Sequence, residues 1–370
     1  MKIEPFKLER YFAKHEFSAK YLLSSSDCDG FSLQYVLHCA DGEERRLWDE
    51  LRLGYTESQG LPRLREAIAA QYRTIQPDEV LVLSPGEANY IFMQVALQPG
   101  DHVICMSPMY QSLYQVAASL GCTISFWEPD PATWHYDPAD LAKLVNLHSK
   151  ALIINFPHNP TGALPTLAEV TQIVDFARAH RILLFSDEMY HQLVVDPTKQ
   201  IPAFCDLYEN ALSLWGMAKT FGLAGLRIGW LATRNRALLQ EIMAYKDYIT
   251  ICNNAMSEIL TLVVLNHRDQ FVAPNLAKIE RNIGLFAEFQ RQHPQLIDFT
   301  PPQAGSTAFV KLNLPGITSL EYSEQLVKAT GIMLLPAEMF DYGQAHARIG
   351  FGRESLPEAL AIWHDFIQQG

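Results

Sequence analysis

Residues 215–230 read WGMAKTFGLAGLRIGW, a run with four glycines and only two charges, Lys219 and Arg227. A strand-like run over 211–215 precedes it, and another over 228–232 closes it. A lysine at the end of a buried strand is partly desolvated. Desolvation disfavours the ammonium form and lowers the pKa. The neutral amine is the form that condenses with a carbonyl. An arginine nearby suits a phosphate. The plainer reading is a connector whose lysine reaches back to water.

Other residues at strand ends widen the chemistry. Ser84-Pro85-Gly86-Glu87-Ala88 follows the strand-like run 80–83, and a glycine that opens a helix lets backbone N–H groups face an anion. Tyr110 follows the run 102–106, at the start of a helix candidate; it either stacks on a planar ring or packs on the domain surface. Asn159 lies in F-P-H-N-P-T-G, where two prolines and a glycine stiffen the loop. Asp187 ends the run 182–186, and Tyr190 follows three residues on. A carboxylate there either pairs with a buried cation or caps a helix. Together these supply an amine, a carboxylate, an amide, a phenol, an aromatic face, an arginine and a helix N-terminus. That set matches what pyridoxal 5'-phosphate requires: lysine for its aldehyde, carboxylate for its ring nitrogen, glycine loop and arginine for its phosphate.

The elements that must hold these groups follow from periodicity. Strand candidates cover 80–83, 102–106, 123–127, 151–155, 182–186, 212–215 and 228–232, with helix candidates over 88–97, 111–120, 138–145 and 167–180 between them. This alternation predicts an α/β fold: a large domain with a mostly parallel seven-stranded sheet between helices. In such a sheet ligands bind outside the carboxyl ends of the strands. Helices are expected over 5–20, 32–39 and 61–72, one long helical stretch over 236–266, and another over 274–292. The tail alternates short strands with helices and predicts a smaller α+β domain. The expected division is 1–50 joining the small domain, 51–265 as the large cofactor-binding domain and 266–370 as the small domain.

Composition removes several classes of function. The 370 residues are 48% hydrophobic with a net charge of -12, which leaves no basic footprint for nucleic acid or an anionic membrane. No apolar run reaches membrane-spanning length, and the N-terminus MKIEPFKLERYF has no signal-peptide core. Six scattered cysteines with no C-x-x-C pair read as reduced thiols, so neither a disulfide framework nor a metal site is expected. A soluble cytoplasmic protein is the expectation. Glu16, Asp27 and Asp29 would favour a basic substrate if they faced a site; otherwise they are solvated surface charges.

Over roughly residues 55–348 the chain resembles the class I/II aminotransferases, fold-type I pyridoxal-phosphate-dependent enzymes. The resemblance rests on Y-T-E-S-Q-G-L-P-R-L-R at 55, N-F-P-H-N-P-T-G at 155, S-D-E-M-Y at 186, A-K-T-F-G-L-A-G-L-R-I-G-W at 218 and A-R-I-G-F-G at 347. It implies movement of an amino group between an amino acid and a 2-oxo acid. Lys219 would form the internal aldimine and act as the base. Asp187 would pair with the ring nitrogen, Asn159 and Tyr190 would bond the ring's phenolic oxygen, and Tyr110 would stack on the ring. Gly86, Glu87 and Ala88 would offer N–H groups to the phosphate, with Arg227 as a clamp. Tyr55 would reach the phosphate of a neighbouring subunit, which implies a homodimer. Arg348, with Asn159, would hold the substrate carboxylate. Two departures stand out. Gly216 occupies a position where many members carry a phosphate-binding serine, and Pro85 and Glu87 stand where small residues are common.

Other reactions on the same cofactor compete with this reading: a β-lyase, or a cyclase or replacement enzyme. The N-terminal F-K-L-E-R-Y-F followed by S-S-S-D is similar to capreomycidine-synthase-like members. A non-catalytic regulator on the same fold would need a DNA-binding or partner module, and the acidic chain has no helix-turn-helix extension.

Overall fold

The computed structural model describes residues 2–369. Seven strands form the main sheet: β1 (Val80–Leu83), β2 (His102–Met106), β3 (Thr123–Trp127), β4 (Ser149–Asn155), β5 (Leu183–Asp187), β6 (Ala211–Gly216) and β7 (Gly229–Ala232). Their order is β1-β7-β6-β5-β4-β2-β3. Every strand matches an expected run to within two residues. β1, β2, β6 and β7 are buried along their whole length. That is why they read as unbroken apolar runs rather than alternating ones. β3 lies at the sheet edge and is mostly uncovered.

β2, β3, β4, β5 and β6 run parallel, while β7 is antiparallel to both neighbours, β6 and β1. The carboxyl ends of β4 and β5 lie side by side, with Asn155 opposite Asp187. The chain leaves β6 at Gly216, makes a tight return through Lys219 and Arg227, and re-enters the sheet as β7. The return is close-packed. Gly216 pairs with Gly229 across the strands. A Cβ at Gly216 would stand 2.8 Å from Gly229 Cα and 2.9 Å from the Ile228 carbonyl, with Pro85 Cγ at 3.4 Å. The backbone of β7 and the Pro85 ring therefore fill the space a serine would need at Gly216. The two departures seen in the sequence, at 85 and at 216, are one packing arrangement.

Four antiparallel strands form a second sheet, β8 (Ile297–Asp298), β9 (Thr307–Leu312), β10 (Leu335–Pro336) and β11 (His346–Gly350), in the order β10-β11-β9-β8. Helices Asp269–Gln292, Ser319–Thr330 and Leu356–Gln369 accompany it. Trp363 anchors their packing, fully buried, its indole N–H on Tyr322 Oη at 2.7 Å. The N-terminal segment meets both parts of the molecule. Its helix Lys7–His15 bonds Glu324 through Lys14 and His15, and Tyr21 bridges to Ile332. Further on, Glu44 of helix Gly42–Asp49 accepts hydrogen bonds from Asn266 and His267.

Three local expectations are corrected. The stretch 236–266 is two helices, Arg236–Lys246 and Ala255–Asn266. The intervening DYITICNN holds β-branched residues and ends on Asn254, whose side chain caps the second helix by accepting from Ser257 N–H. Lys246 ends the first helix by turning its ammonium onto the carbonyls of Ser58 and Ile251. The candidate over 111–120 breaks at Tyr114 into a 3₁₀ turn, Gln111–Leu113, and a short helix, Gln115–Ser119. Helix Gly42–Asp49 was not anticipated, although its capping box, Asp41 with Glu44, stands plainly in the sequence.

Replacing Gly216 by serine should force β6 and β7 apart. We expect a loss of about 1–3 kcal/mol in chemical denaturation, the usual range for overpacking. Gly225→Ser is the control, because a Cβ there meets nothing within 4 Å. Equal stability of the two variants would contradict the packing argument.

Candidate active site

At the carboxyl ends of the parallel strands lies a cavity of about 390 Å³. Its far wall is the N-terminal segment, from Leu8 to Asp27, and Arg348 of β11 closes it from the second sheet. Of the residues singled out in the sequence, Lys219, Asp187, Tyr190, Asn159, Tyr110, Gly86, Arg227 and Arg348 all line this one space.

Lys219 lies just beyond β6. Its ammonium nitrogen donates to Ser26 Oγ at 2.9 Å. Burial pulls its pKa below the ordinary lysine value, and Arg348 acts in the same direction, while Asp27, Glu9 and Asp187 oppose. Asp187 ends β5 and is 7% exposed. Burial pushes its carboxyl up to about 6, against the Met189 N–H bond and the charge of Lys219. That bond, Met189 N–H to Asp187 Oδ1 at 3.1 Å, is a local turn with no helix beginning there, so Asp187 is not a helix cap.

Asn155 was missed by sequence reasoning, because an asparagine at a strand end carries no pattern of its own. Its amide donates to the Asp187 carbonyl and accepts from Asn159 N–H, both at 2.8 Å. It thereby locks the loops after β4 and β5 together. Asn159 Oδ1 in turn accepts from Arg348 Nη1 at 3.0 Å. Arg348 is 2% exposed, and its Nε and Nη2 both donate to the Ser24 carbonyl, at 2.9 and 2.6 Å. Three of its five N–H groups are thus engaged. Tyr190 is buried nearby, its phenol pKa raised by desolvation while Arg348 and a bond to Ser26 act the other way.

Tyr110 is held by the N-terminal helix: its hydroxyl donates to Glu9 Oε1 at 2.6 Å, and its ring lies 4.8 Å from that of Phe6, tilted by 53°. The helix Pro85–Ala96 points its N-terminus into the cavity at Gly86. Within that first turn the three expected donors are not equal. Ala88 N–H is used by the Ser84 carbonyl at 2.9 Å, inside the helix. Glu87 N–H reaches the Ser84 hydroxyl at a long 3.4 Å, and only Gly86 of the three lines the cavity. The Glu87 carboxylate is held aside by Thr250, whose hydroxyl donates to Oε1 at 2.6 Å. Arg227 stands in a left-handed conformation at φ 51° and bonds the Ala224 carbonyl. Tyr55 is outside the cavity and 90% exposed.

The N-terminal segment contributes more than its sequence suggested. The run Ser24-Ser25-Ser26-Asp27 carries no periodic pattern, yet Ser25, Ser26 and Asp27 line the cavity, as do Glu9 and Glu16. Asp27 pairs with Arg353 at 2.9 Å. Glu16 has its pKa raised by burial and by the charges of Asp27 and Glu9. Asp29 is not part of the wall and is tied to Lys278 and Arg353.

The residues present fit pyridoxal phosphate. A helix N-terminus and an arginine suit its phosphate, and a desolvated carboxylate suits a protonated ring nitrogen. A buried polar atom at the wall also lacks a partner among the described residues: Asn89 is 3% exposed and its Oδ1 accepts no hydrogen bond from them.

A sequence model of the family "Aminotransferase class I and II" matches residues 18–361. Capreomycidine synthase of Streptomyces vinaceus is 30% identical, over 96% of this chain and 91% of its own length. Aromatic-amino-acid aminotransferase 2 of Thermococcus litoralis is 26% identical, over 83% of this chain and 82% of its own. Among solved structures, a PLP-dependent aminotransferase from Streptococcus suis superposes with a TM-score of 0.93 at 25% identity, covering 100% of this chain and 99% of that one. The matched span takes in the seven-stranded sheet, the second sheet and the cavity residues from Ser25 to Arg348, and on that evidence the chain belongs to the class I and II aminotransferases, whose cofactor is pyridoxal phosphate.

Proposed function

We propose that this site moves an amino group from an amino acid to a 2-oxo acid, with Lys219 as both the attachment point of the cofactor and the base. The observation that carries the reading is the convergence on one cavity of a desolvated lysine, a buried carboxylate and a buried arginine bonded to an asparagine. Pyridoxal phosphate, when bound, supplies an aldehyde and a ring that draws electrons from the substrate's α-carbon. Lys219, whose burial favours the neutral amine, takes the proton from that carbon and returns it elsewhere. Asp187 holds a positive ring nitrogen by its charge. Tyr190 and Asn159 bond the ring oxygen. The N–H groups that Arg348 retains bind the substrate carboxylate. Gly86, Glu87 and Arg227 bind the phosphate, Ala88 shaping the helix turn rather than donating.

The proposal includes a cytoplasmic homodimer. Leu53, Tyr55, Tyr248 and Ile251 are large and exposed, and Thr56 bonds the Asn253 carbonyl, which brings the two loops together. A second copy covering this patch would let Tyr55 reach its partner's phosphate site. Among the described residues all six cysteines are free and no helix is long and apolar enough to cross a membrane. Free thiols suit a reducing compartment. A second reaction on the same cofactor, a replacement or ring closure, is favoured by the near full-length similarity to capreomycidine synthase. Measuring ammonia release against transfer to a 2-oxo acid separates the two.

Lys219→Ala should remove the visible absorbance of the lysine-bound cofactor and lower turnover by at least about 10²–10⁴-fold, with the melting curve preserved. Undiminished turnover would sink the assignment. Asp187 gives a test without cofactor. Its carboxyl is raised from 3.8 to about 6 by burial. The fold therefore favours the protonated acid; this contribution is complete below about pH 4 and is lost as pH rises through about 6. In cofactor-free protein Asp187→Asn should be stabilising by about 2–3 kcal/mol at pH 8, the worth of two pKa units, and the advantage should vanish below pH 4. Identical denaturation midpoints at pH 8 would show that Asp187 is not under this strain.

A further inference from the structure

The segment carrying Ser26 is fixed by its backbone. Gly350 N–H donates to the Leu23 carbonyl at 2.6 Å, Arg348 grips the Ser24 carbonyl, and Ser306 donates its hydroxyl to the Ser26 carbonyl at 2.7 Å. A Cβ on Gly350 would stand 1.7 Å from the Ser25 carbonyl oxygen, and one on Gly352 would stand 2.3 Å from that of Asp27. Only glycines at the end of β11 and just beyond it let the segment lie this close. None of these contacts uses the Ser26 hydroxyl, which is left to face the cavity.

That hydroxyl meets one residue of the proposed chemistry directly. It accepts from Lys219 Nζ at 2.9 Å, and it lines the same cavity as Tyr190. We propose that Ser26 is a positioning residue that aims the Lys219 amine, a role that rests on the reading of Lys219 as the base. A lysine side chain has four rotatable carbons and a compact head, so an unrestrained amine would sample many positions. Held by Ser26, it keeps one N–H on the hydroxyl and turns its lone pair toward the space where the substrate's α-carbon must lie. Ser26 neither gains nor loses a proton over the cycle; its contribution is geometry.

The test follows the α-hydrogen directly. Wild type, Ser26→Ala and Ser26→Thr, each loaded with pyridoxal phosphate, are incubated in D₂O with the proteinogenic L-amino acids, and loss of each α-hydrogen is followed by NMR. For the amino acid that wild type exchanges fastest, Ser26→Ala should slow exchange by about tenfold to a hundredfold, the scale of a misplaced reacting group. KM should change by less than about threefold, because the substrate carboxylate is held elsewhere. The deuterium isotope effect on kcat should rise, and Ser26→Thr should recover most of the rate. Unchanged exchange in Ser26→Ala overturns the role, and so does a loss that threonine fails to recover or that lies wholly in KM. No α-hydrogen exchange in wild type would overturn the Lys219 reading itself, and the Ser26 role would fall with it; exchange in wild type that is equal in Ser26→Ala would leave the Lys219 reading standing.

Discussion

A lysine and an aspartate taken out of water in the same cavity are the constraint around which this molecule is arranged. Each is costly to bury: desolvation pulls Lys219 toward neutrality and pushes the Asp187 carboxyl up to about 6. Among the described residues neither has a direct ion-pair partner. They instead receive weak support, Lys219 from a serine hydroxyl and Asp187 from a single backbone N–H. A fold selected for stability alone would pair or remove such groups. Left under-compensated, both remain able to take a partner from outside the chain, as the proposed chemistry requires.

The architecture supplies the rigidity that these two groups lack. Strands β4, β5 and β6 are parallel neighbours, so their carboxyl ends present Asn159, Asp187 and Lys219 on one side. Asn155 bonds across two of the loops, and Arg348 brings the second sheet into the same network through Asn159 and the Ser24 carbonyl. The cavity wall is therefore made by three separated parts of the chain that hold each other by hydrogen bonds to backbone carbonyls and asparagine side-chain oxygens. Neither kind of acceptor titrates, so this frame keeps its form over the pH range in which Asp187 changes charge.

How much of this could be read from the sequence depended on the kind of signal. The seven strands were legible because each is a short buried apolar run between helices, and the site residues followed from what stands just after each run. Tyr110, Asn159, Asp187 and Lys219 all come to one cavity for that reason. Two kinds of residue escaped. Asn155 and Ser26 act through contacts between distant segments, and neither lies in a periodic pattern. The acidic residues divide: Glu16 and Asp27 face the cavity, while Asp29 is absorbed by Lys278 and Arg353. Sequence spacing could not separate them because Asp29's partners, Lys278 and Arg353, lie more than two hundred residues away in the chain. Ala88 fell short as a donor for a local reason: it is far enough into its helix to bond the Ser84 carbonyl.

The hydroxyl–carboxylate bond between Thr250 and Glu87 joins two regions of unlike character. Thr250 belongs to the loop between helices Arg236–Lys246 and Ala255–Asn266, whose neighbours Tyr248, Ile249 and Ile251 are exposed apolar side chains. Glu87 belongs to the first turn of the helix that faces the cavity. The loop and the turn are therefore tethered: a surface that restrains Tyr248 and Ile251 also acts, through Thr250, on the first turn of that helix. Packing at the rim of the molecule and the position of the turn that carries Gly86 are linked by this one bond.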